Sequence, residues 1–244
     1  MRMSDVVGCL AVLASLAVGG ASIAAKPVAP VVEQDVSQLL TAMNAQINPY
    51  RPRLLVVGDS YSGGSDEGGG GRRNWVATAA ARLGMVPVNL SVGGTGFVNG
   101  MQNRPDTSFA ARLPEVLRRE PDVVVVAGGI NDASSDPDVF DRRAAAFLRA
   151  ARRGLPRARF VVVAPFWPSR DAVPPQVLHE RDTLRTLARE IDATFVDPLA
   201  GQWFRTPQTR GMIGKDRVHP TDAGHAFMAR RMVRAIGPAP TTGR

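Results

Sequence analysis

Leu54-Leu55-Val56-Val57-Gly58-Asp59-Ser60-Tyr61-Ser62, followed at once by Gly63 and Gly64, is the run from which the architecture of the chain can be read. Four consecutive apolar residues ending in glycine read as a short strand buried on both faces, the kind found in parallel sheets. The chain must turn at Gly58, and it sets a hydroxyl where the strand ends. In open α/β sheets that position borders the crevice where ligands bind. Serine after glycine and aspartate also serves commonly as a helix cap or turn residue, so Ser60 has to be weighed against the rest of the chain.

Outward from this run, strand and helix signals alternate. Further apolar runs occur at 86–90, 123–126, 160–163 and 194–196, and helical spacing fills 74–83, 108–119, 137–153, 176–191 and 221–235. Short β-branched runs separated by helices predict parallel strands joined by right-handed crossovers, giving a three-layer α/β/α sandwich. No internal repeat and no second domain is visible. The domain is expected over 51–236, and 237–244, rich in Pro, Gly and Thr, is expected to be a disordered tail.

The N-terminus reads differently. Arg2 precedes an apolar segment from Val6 to Val18, then small residues through Ala25, the pattern of a signal peptide or an N-terminal membrane anchor over 1–25. Residues 26–50 read as a linker with one short helix. The expectation is export, to the cell envelope or the medium, with any membrane association made through this segment. Cys9 is the only cysteine, so a cleaved chain has no disulfide, thiol nucleophile or cysteine metal site.

The 244 residues carry a formal charge of +8, from 28 arginines and two lysines against 22 acidic residues. The densest cluster, Arg142 to Arg159, falls mostly on one predicted helix and reads as a solvated face. Basic residues interleaved with aromatics are missing, and no nucleic-acid partner is expected.

Chemistry concentrates in the loops after the predicted strands. Ser60 is the nucleophile candidate. Of three histidines, His179 falls among charged helical residues and His225 one turn into the last helix. His219 lies in a loop before Pro220, three residues after Asp216, a spacing that lets the carboxylate reach back to the imidazole. Ser91-Val92-Gly93-Gly94-Thr95 and Gly128-Gly129-Ile130-Asn131-Asp132 follow the second and third strands; the glycines of the first permit close backbone approach with an inward-pointing N–H, and the second presents the Asn131 amide. Taken singly, each is an ordinary turn. The six glycines of residues 62–71 cannot hold one shape unaided and are expected to border the site.

Together these blocks resemble the SGNH (GDSL-type) hydrolases. Gly58-Asp59-Ser60-Tyr61-Ser62 is similar to the family's first block. Asn89-Leu90-Ser91-Val92-Gly93-Gly94 is similar to the second, with Ser91 where the family usually has glycine. Gly129-Ile130-Asn131-Asp132 is similar to the third, and Asp216-Arg217-Val218-His219-Pro220 to the last. The resemblance spans about residues 53–236 and implies strand order 2-1-3-4-5 with a flavodoxin-like, five-stranded parallel sheet. It implies a Ser60–His219–Asp216 triad and an oxyanion hole from the Ser60 and Gly94 N–H groups and the Asn131 side chain. Asp59 and Asp132 are assigned to loop architecture, and neither metal nor cofactor is expected.

What the resemblance implies is a serine esterase acting through an acyl-Ser60 intermediate; the sequence shows no long apolar lid of the kind an interfacial lipase needs, so the expected substrate is a small-molecule or glycan ester, short-chain or carbohydrate O-acyl. Trp75, Phe97, Trp167 and Trp203 are the candidates for lining the substrate cleft. The alternatives are a cell-envelope O-acyltransferase and a non-catalytic glycan-binding protein on the same fold. Gly93-Gly94-Thr95-Gly96-Phe97 also evokes a dinucleotide loop, but it follows the second strand and leads into a poor helix start, which argues against that reading.

Overall fold

The computed structural model describes residues 50–101 and 104–240. The expectations for 1–49 and for 241–244 lie outside the described residues. Five strands, β1 (Arg53–Gly58), β2 (Val86–Asn89), β3 (Val123–Ala127), β4 (Arg159–Val163) and β5 (Thr194–Val196), pair in parallel in the order β2-β1-β3-β4-β5. Among the described residues six α-helices accompany them: α1 (Ser60–Gly63), α2 (Trp75–Arg82), α3 (Phe109–Arg118), α4 (Pro137–Gly154), α5 (Pro175–Glu190) and α6 (Asp222–Ile236).

The period of two along each strand divides the core. Leu54 and Val56 of β1, Val123 and Val125 of β3 and Val161 and Val163 of β4 face α2 and α6. Leu55, Val57, Val124, Val126, Phe160 and Val162 face α3, α4 and α5. Because helices cover both faces, the apolar residues of β1 and β3 are almost wholly shielded from water, which explains why they read as continuous runs rather than as alternation. Each such side chain stabilises the fold by roughly 1.5–3 kcal/mol over exposure.

Helix starts follow local chemistry. Asn74 accepts from the Val76 N–H at α2, Asp136 from Val139 at α4 and Thr221 from Gly224 at α6, each satisfying an otherwise orphaned donor. Strand order reverses at β1: the chain leaves β1 toward β2 and returns to β3 on the other side. Ser60, directly after β1, therefore sits at the topological switch point.

Among the described residues no helix is long and apolar enough to cross a membrane.

Candidate active site

Gly58 ends β1 where a Cβ would stand 2.8 Å from the Ala127 carbonyl oxygen and 2.9 Å from Ser62 Oγ, so only glycine lets the chain turn there. Asp59 then caps the one-turn helix α1, its Oδ1 accepting the Tyr61 N–H at 2.9 Å. The cap is therefore the aspartate, and Ser60 is the first helical residue, with its hydroxyl free for other work. Burial pushes the Asp59 carboxyl up to about 7 against the pull of the Tyr61 N–H, and neighbouring Asp132 adds to the rise.

Ser60 Oγ lies 2.9 Å from His219 Nε2, and His219 Nδ1 lies 2.5 Å from Asp216 Oδ2. The other Asp216 oxygen accepts the N–H groups of Val218 and His219, both at 2.9 Å. Burial raises the Asp216 pKa, but these two N–H bonds and the imidazole outweigh it and hold the carboxyl at about 2. An ionised carboxylate only accepts, so Nδ1 carries the imidazole proton and Nε2 is left as the acceptor for the Ser60 hydroxyl. Residues 159 positions apart thus form a relay in which Ser60 can lose its proton to His219.

Donors for a developing oxyanion come from two loops. A Cβ on Gly93 would stand only 3.5 Å from Ser60 Cβ, so this loop runs against the nucleophile. Gly94 is exposed and takes φ +72°, and among the described residues its N–H has no protein acceptor. Asn131 Nδ2 donates to the Thr95 carbonyl at 2.9 Å. That bond uses one amide hydrogen, orients the group and leaves the second for a ligand. Ser91, standing where the resembled family has glycine, is not among the residues with left-handed φ, and its N–H is held by Asn89 Oδ1 at 3.1 Å.

Asp132 of the third motif, together with Asn99 and Arg112 outside the motifs, ties these loops together. Fully buried Asp132 accepts from the N–H groups of Phe97, Val98 and Asn99 at 2.7, 3.1 and 2.9 Å. Asn99 Nδ2 returns a bond to the Asn131 carbonyl at 2.8 Å. Arg112 of α3 donates to the carbonyls of Gly58 and Leu90 at 3.0 and 2.5 Å and to Thr95 Oγ1 at 2.7 Å, stitching the carboxyl ends of β1 and β2 to the Gly93–Gly94 loop. Burial lowers its guanidinium to about 10. The sequence signal for Arg112 was present: it lies three residues after buried Phe109 and four before buried Val116, on the apolar stripe of its helix.

The glycine-rich segment is anchored from outside. Asn74 Nδ2 donates to the carbonyls of Ser62 and Gly69, the Gly69 N–H donates to Asp222 Oδ1, and Glu67 Oε1 accepts the Asp216 N–H. It borders the Asp216–His219 loop, as its position after Ser60 suggested. His225 packs beneath it: its ring would collide with any Cβ on Gly69. His225 is wholly buried, and burial lowers it to about 4.

His179 does meet a carboxylate, with Nε2 2.9 Å from Asp141 Oδ1, but the nearby Thr183 hydroxyl donates to that same oxygen rather than to the imidazole. No nucleophile–base pair results. These residues line an open groove of about 430 Å³ between α4 and α5, lined by neither Ser60 nor His219. Among the described residues no group of three or more His, Cys, Asp or Glu side chains could hold a metal ion.

Residues 56–227 match the GDSL-like Lipase/Acylhydrolase family. The chain belongs to this family. Its members are the SGNH hydrolases of the sequence reading, enzymes acting on carboxylic ester bonds. The chain is 34% identical over 204 residues to a GDSL lipase of Mycobacterium tuberculosis, covering 77% of this chain and 86% of that protein. Its fold is similar to that of Axe2, an acetyl-xylooligosaccharide esterase from Geobacillus, with TM-score 0.60, 23% identity and coverage of 79% of this chain and 97% of that one. An acetyl xylan esterase, AlAXEase, superposes with TM-score 0.60 at 19% identity, covering 76% of this chain and all of that one.

Within this GDSL-family fold three of the four proposed cleft residues need correcting. Trp75 is 1% exposed, packed between α2 and α6 with its indole N–H on Ser62 Oγ at 3.3 Å. Phe97 is 2% exposed and packs edge-on against Phe140 and Phe147 in the opposite core. Trp203 is buried against Phe166 and Phe227. Large aromatics close to a site in sequence gained more by filling the core than by facing solvent. Trp167 alone is half-buried.

Proposed function

We propose that the chain is an exported serine esterase that hydrolyses short-chain or carbohydrate O-acyl esters through an acyl-Ser60 intermediate. The observation that carries this reading is the relay from Ser60 Oγ to His219 Nε2 at 2.9 Å and from His219 Nδ1 to Asp216 Oδ2 at 2.5 Å. In the proposed reaction Ser60 Oγ attacks the ester carbonyl while its proton passes to His219 Nε2. The carbonyl oxygen, now negative, is held by the Ser60 and Gly94 N–H groups and the free Asn131 amide hydrogen. Collapse expels the alcohol, which takes the proton from His219. Water then attacks the acyl-serine by the same route, giving its proton to His219 and releasing the acid and free Ser60. Asp216 stabilises the transient imidazolium and fixes its ring.

The acyl preference rests on two supports. Folds similar to this one include two acetyl-sugar esterases, and among the described residues Val218 is the single large apolar side chain that is exposed. That leaves little apolar surface for a long chain. Export rests on the charged and apolar pattern of residues 1–25.

The test measures turnover of p-nitrophenyl esters from acetate upward, and of acetylated xylo-oligosaccharides, by the full chain and by Ser60→Ala. Turnover that falls with acyl length and vanishes in Ser60→Ala is the expected result. Equal turnover in Ser60→Ala would refute the mechanism, a preference for long chains would refute the substrate class, and turnover that requires an added sugar acceptor would identify an acyltransferase.

A further inference from the structure

The Tyr61 hydroxyl donates to the Val218 carbonyl at 2.6 Å, joining residues 157 positions apart. Tyr61 directly follows Ser60, and Val218 directly precedes His219. One bond therefore connects the backbone that carries the hydroxyl to the backbone that carries the imidazole. The phenol cannot drift, because it is 1% exposed and its ring lies flat on Phe166, with centroids 4.5 Å apart and planes within 2°. It is also tilted against Phe204 at 6.4 Å and against the His219 ring at 6.5 Å.

The loop it holds needs such support. Lys215, Asp216, Arg217 and Val218 are all exposed, and Arg217 takes a left-handed φ of +63°, a conformation that non-glycine residues keep only when neighbours impose it. From outside the loop's own turn, the described contacts to 215–218 are Glu67 on the Asp216 N–H at 3.2 Å and the Tyr61 hydroxyl on Val218.

We propose that Tyr61 is a positioning residue that sets the Ser60–His219 distance by clamping the Val218 carbonyl. The inference rests on the serine-esterase reading above. The phenol stays protonated and able to donate, since burial and the charges of Asp59 and Asp216 raise its pKa well above the usual tyrosine value. Tyr61→Phe keeps the ring stack and the N–H bond to Asp59 but loses the clamp. Losing one neutral hydrogen bond that acts on geometry in the transition state corresponds to about a fivefold to tenfold fall in kcat.

The experiment compares full-length wild type, Tyr61→Phe, Tyr50→Phe and Ser60→Ala for kcat and KM on p-nitrophenyl acetate, for the rate of Ser60 labelling by a fluorophosphonate, and for melting temperature. Tyr50→Phe is the matched control, removing a phenol bond to Asp122 at the opposite end of the sheet. The expected result is a lower kcat and slower labelling in Tyr61→Phe at unchanged KM, with Tyr50→Phe retaining wild-type kcat. The inference is overturned if Tyr61→Phe keeps wild-type kcat and labelling, or if Tyr50→Phe loses kcat to the same extent. Turnover and labelling that persist in Ser60→Ala would instead overturn the esterase reading, and the inference with it. Labelling confined to Ser60 but equal in wild type and Tyr61→Phe would overturn the inference alone.

Discussion

Replacing Glu180 by Met should stabilise the protein increasingly as pH rises. Glu180 lies on α5 with no exposed surface. Its Oε2 has no hydrogen-bond partner among the described residues, and its Oε1 has only a long contact, 3.4 Å, from Gln176. Burial, with the charge of Asp132 adding to it, pushes the carboxyl from 4.5 up to about 8. The unfolded chain gives up this proton near 4.5 and the folded protein near 8. Between those values the folded state holds more protons, so stability falls as pH rises. At ~1.4 kcal/mol per pKa unit the loss is about 3 kcal/mol at pH 7 and levels off near ~5 kcal/mol above pH 8. Methionine has similar length and no charge, so it removes this term at a repacking cost of under about 1.5 kcal/mol. The assay is urea unfolding of both proteins at pH 5, 6, 7 and 8. Asp59 and His225 titrate in both proteins and cancel in the difference. The variant should gain about 3 kcal/mol on wild type between pH 5 and pH 8. A stability difference that is the same at both ends would refute the argument.

Further tests address the site and its supports. Asn131→Ala removes a proposed oxyanion donor and should lower kcat by roughly 10²–10³ with little change in KM, read by steady-state kinetics on p-nitrophenyl acetate. Gly96→Ala places a Cβ 2.1 Å from Asp132 Oδ2, so the Asp132 bonds to residues 97–99 must break. Leaving buried N–H groups unpaired costs about 1–3 kcal/mol each, and both melting temperature and kcat should drop, whereas a wild-type melting curve would show that the clamp is dispensable. His225 works in the opposite direction from Glu180. Its folded pKa of about 4 lies below the unfolded 6.5, so its contribution is complete above 6.5 and lost as pH falls toward 4, by about 3 kcal/mol. His225→Phe should flatten that acid limb in unfolding curves; an unchanged limb would assign it to other groups.

The information legible in the chain was local and repetitive. Runs such as Val123 to Val126 can be shielded only between two helical layers, so the parallel sheet followed from hydrophobic pattern alone, and the four motifs placed Ser60, Gly94, Asn131, Asp216 and His219 on loops that the crossover rules bring to one sheet edge. Buried charges were also legible in principle. Glu180 stands on the stripe with Val177, Leu184 and Leu187, and Arg112 stands on the stripe with Phe109 and Val116, but helical spacing says only which face a residue shares, not what it meets there.

The closing of the layers on one another put Trp75, Phe97 and Trp203 into cores rather than a cleft, made Asp59 and not Ser60 the cap of α1, and brought the Tyr61 hydroxyl to the Val218 carbonyl. These outcomes depend on contacts between side chains tens to more than a hundred residues apart. Such contacts are set by how the layers close on one another, and no periodicity in the chain encodes them.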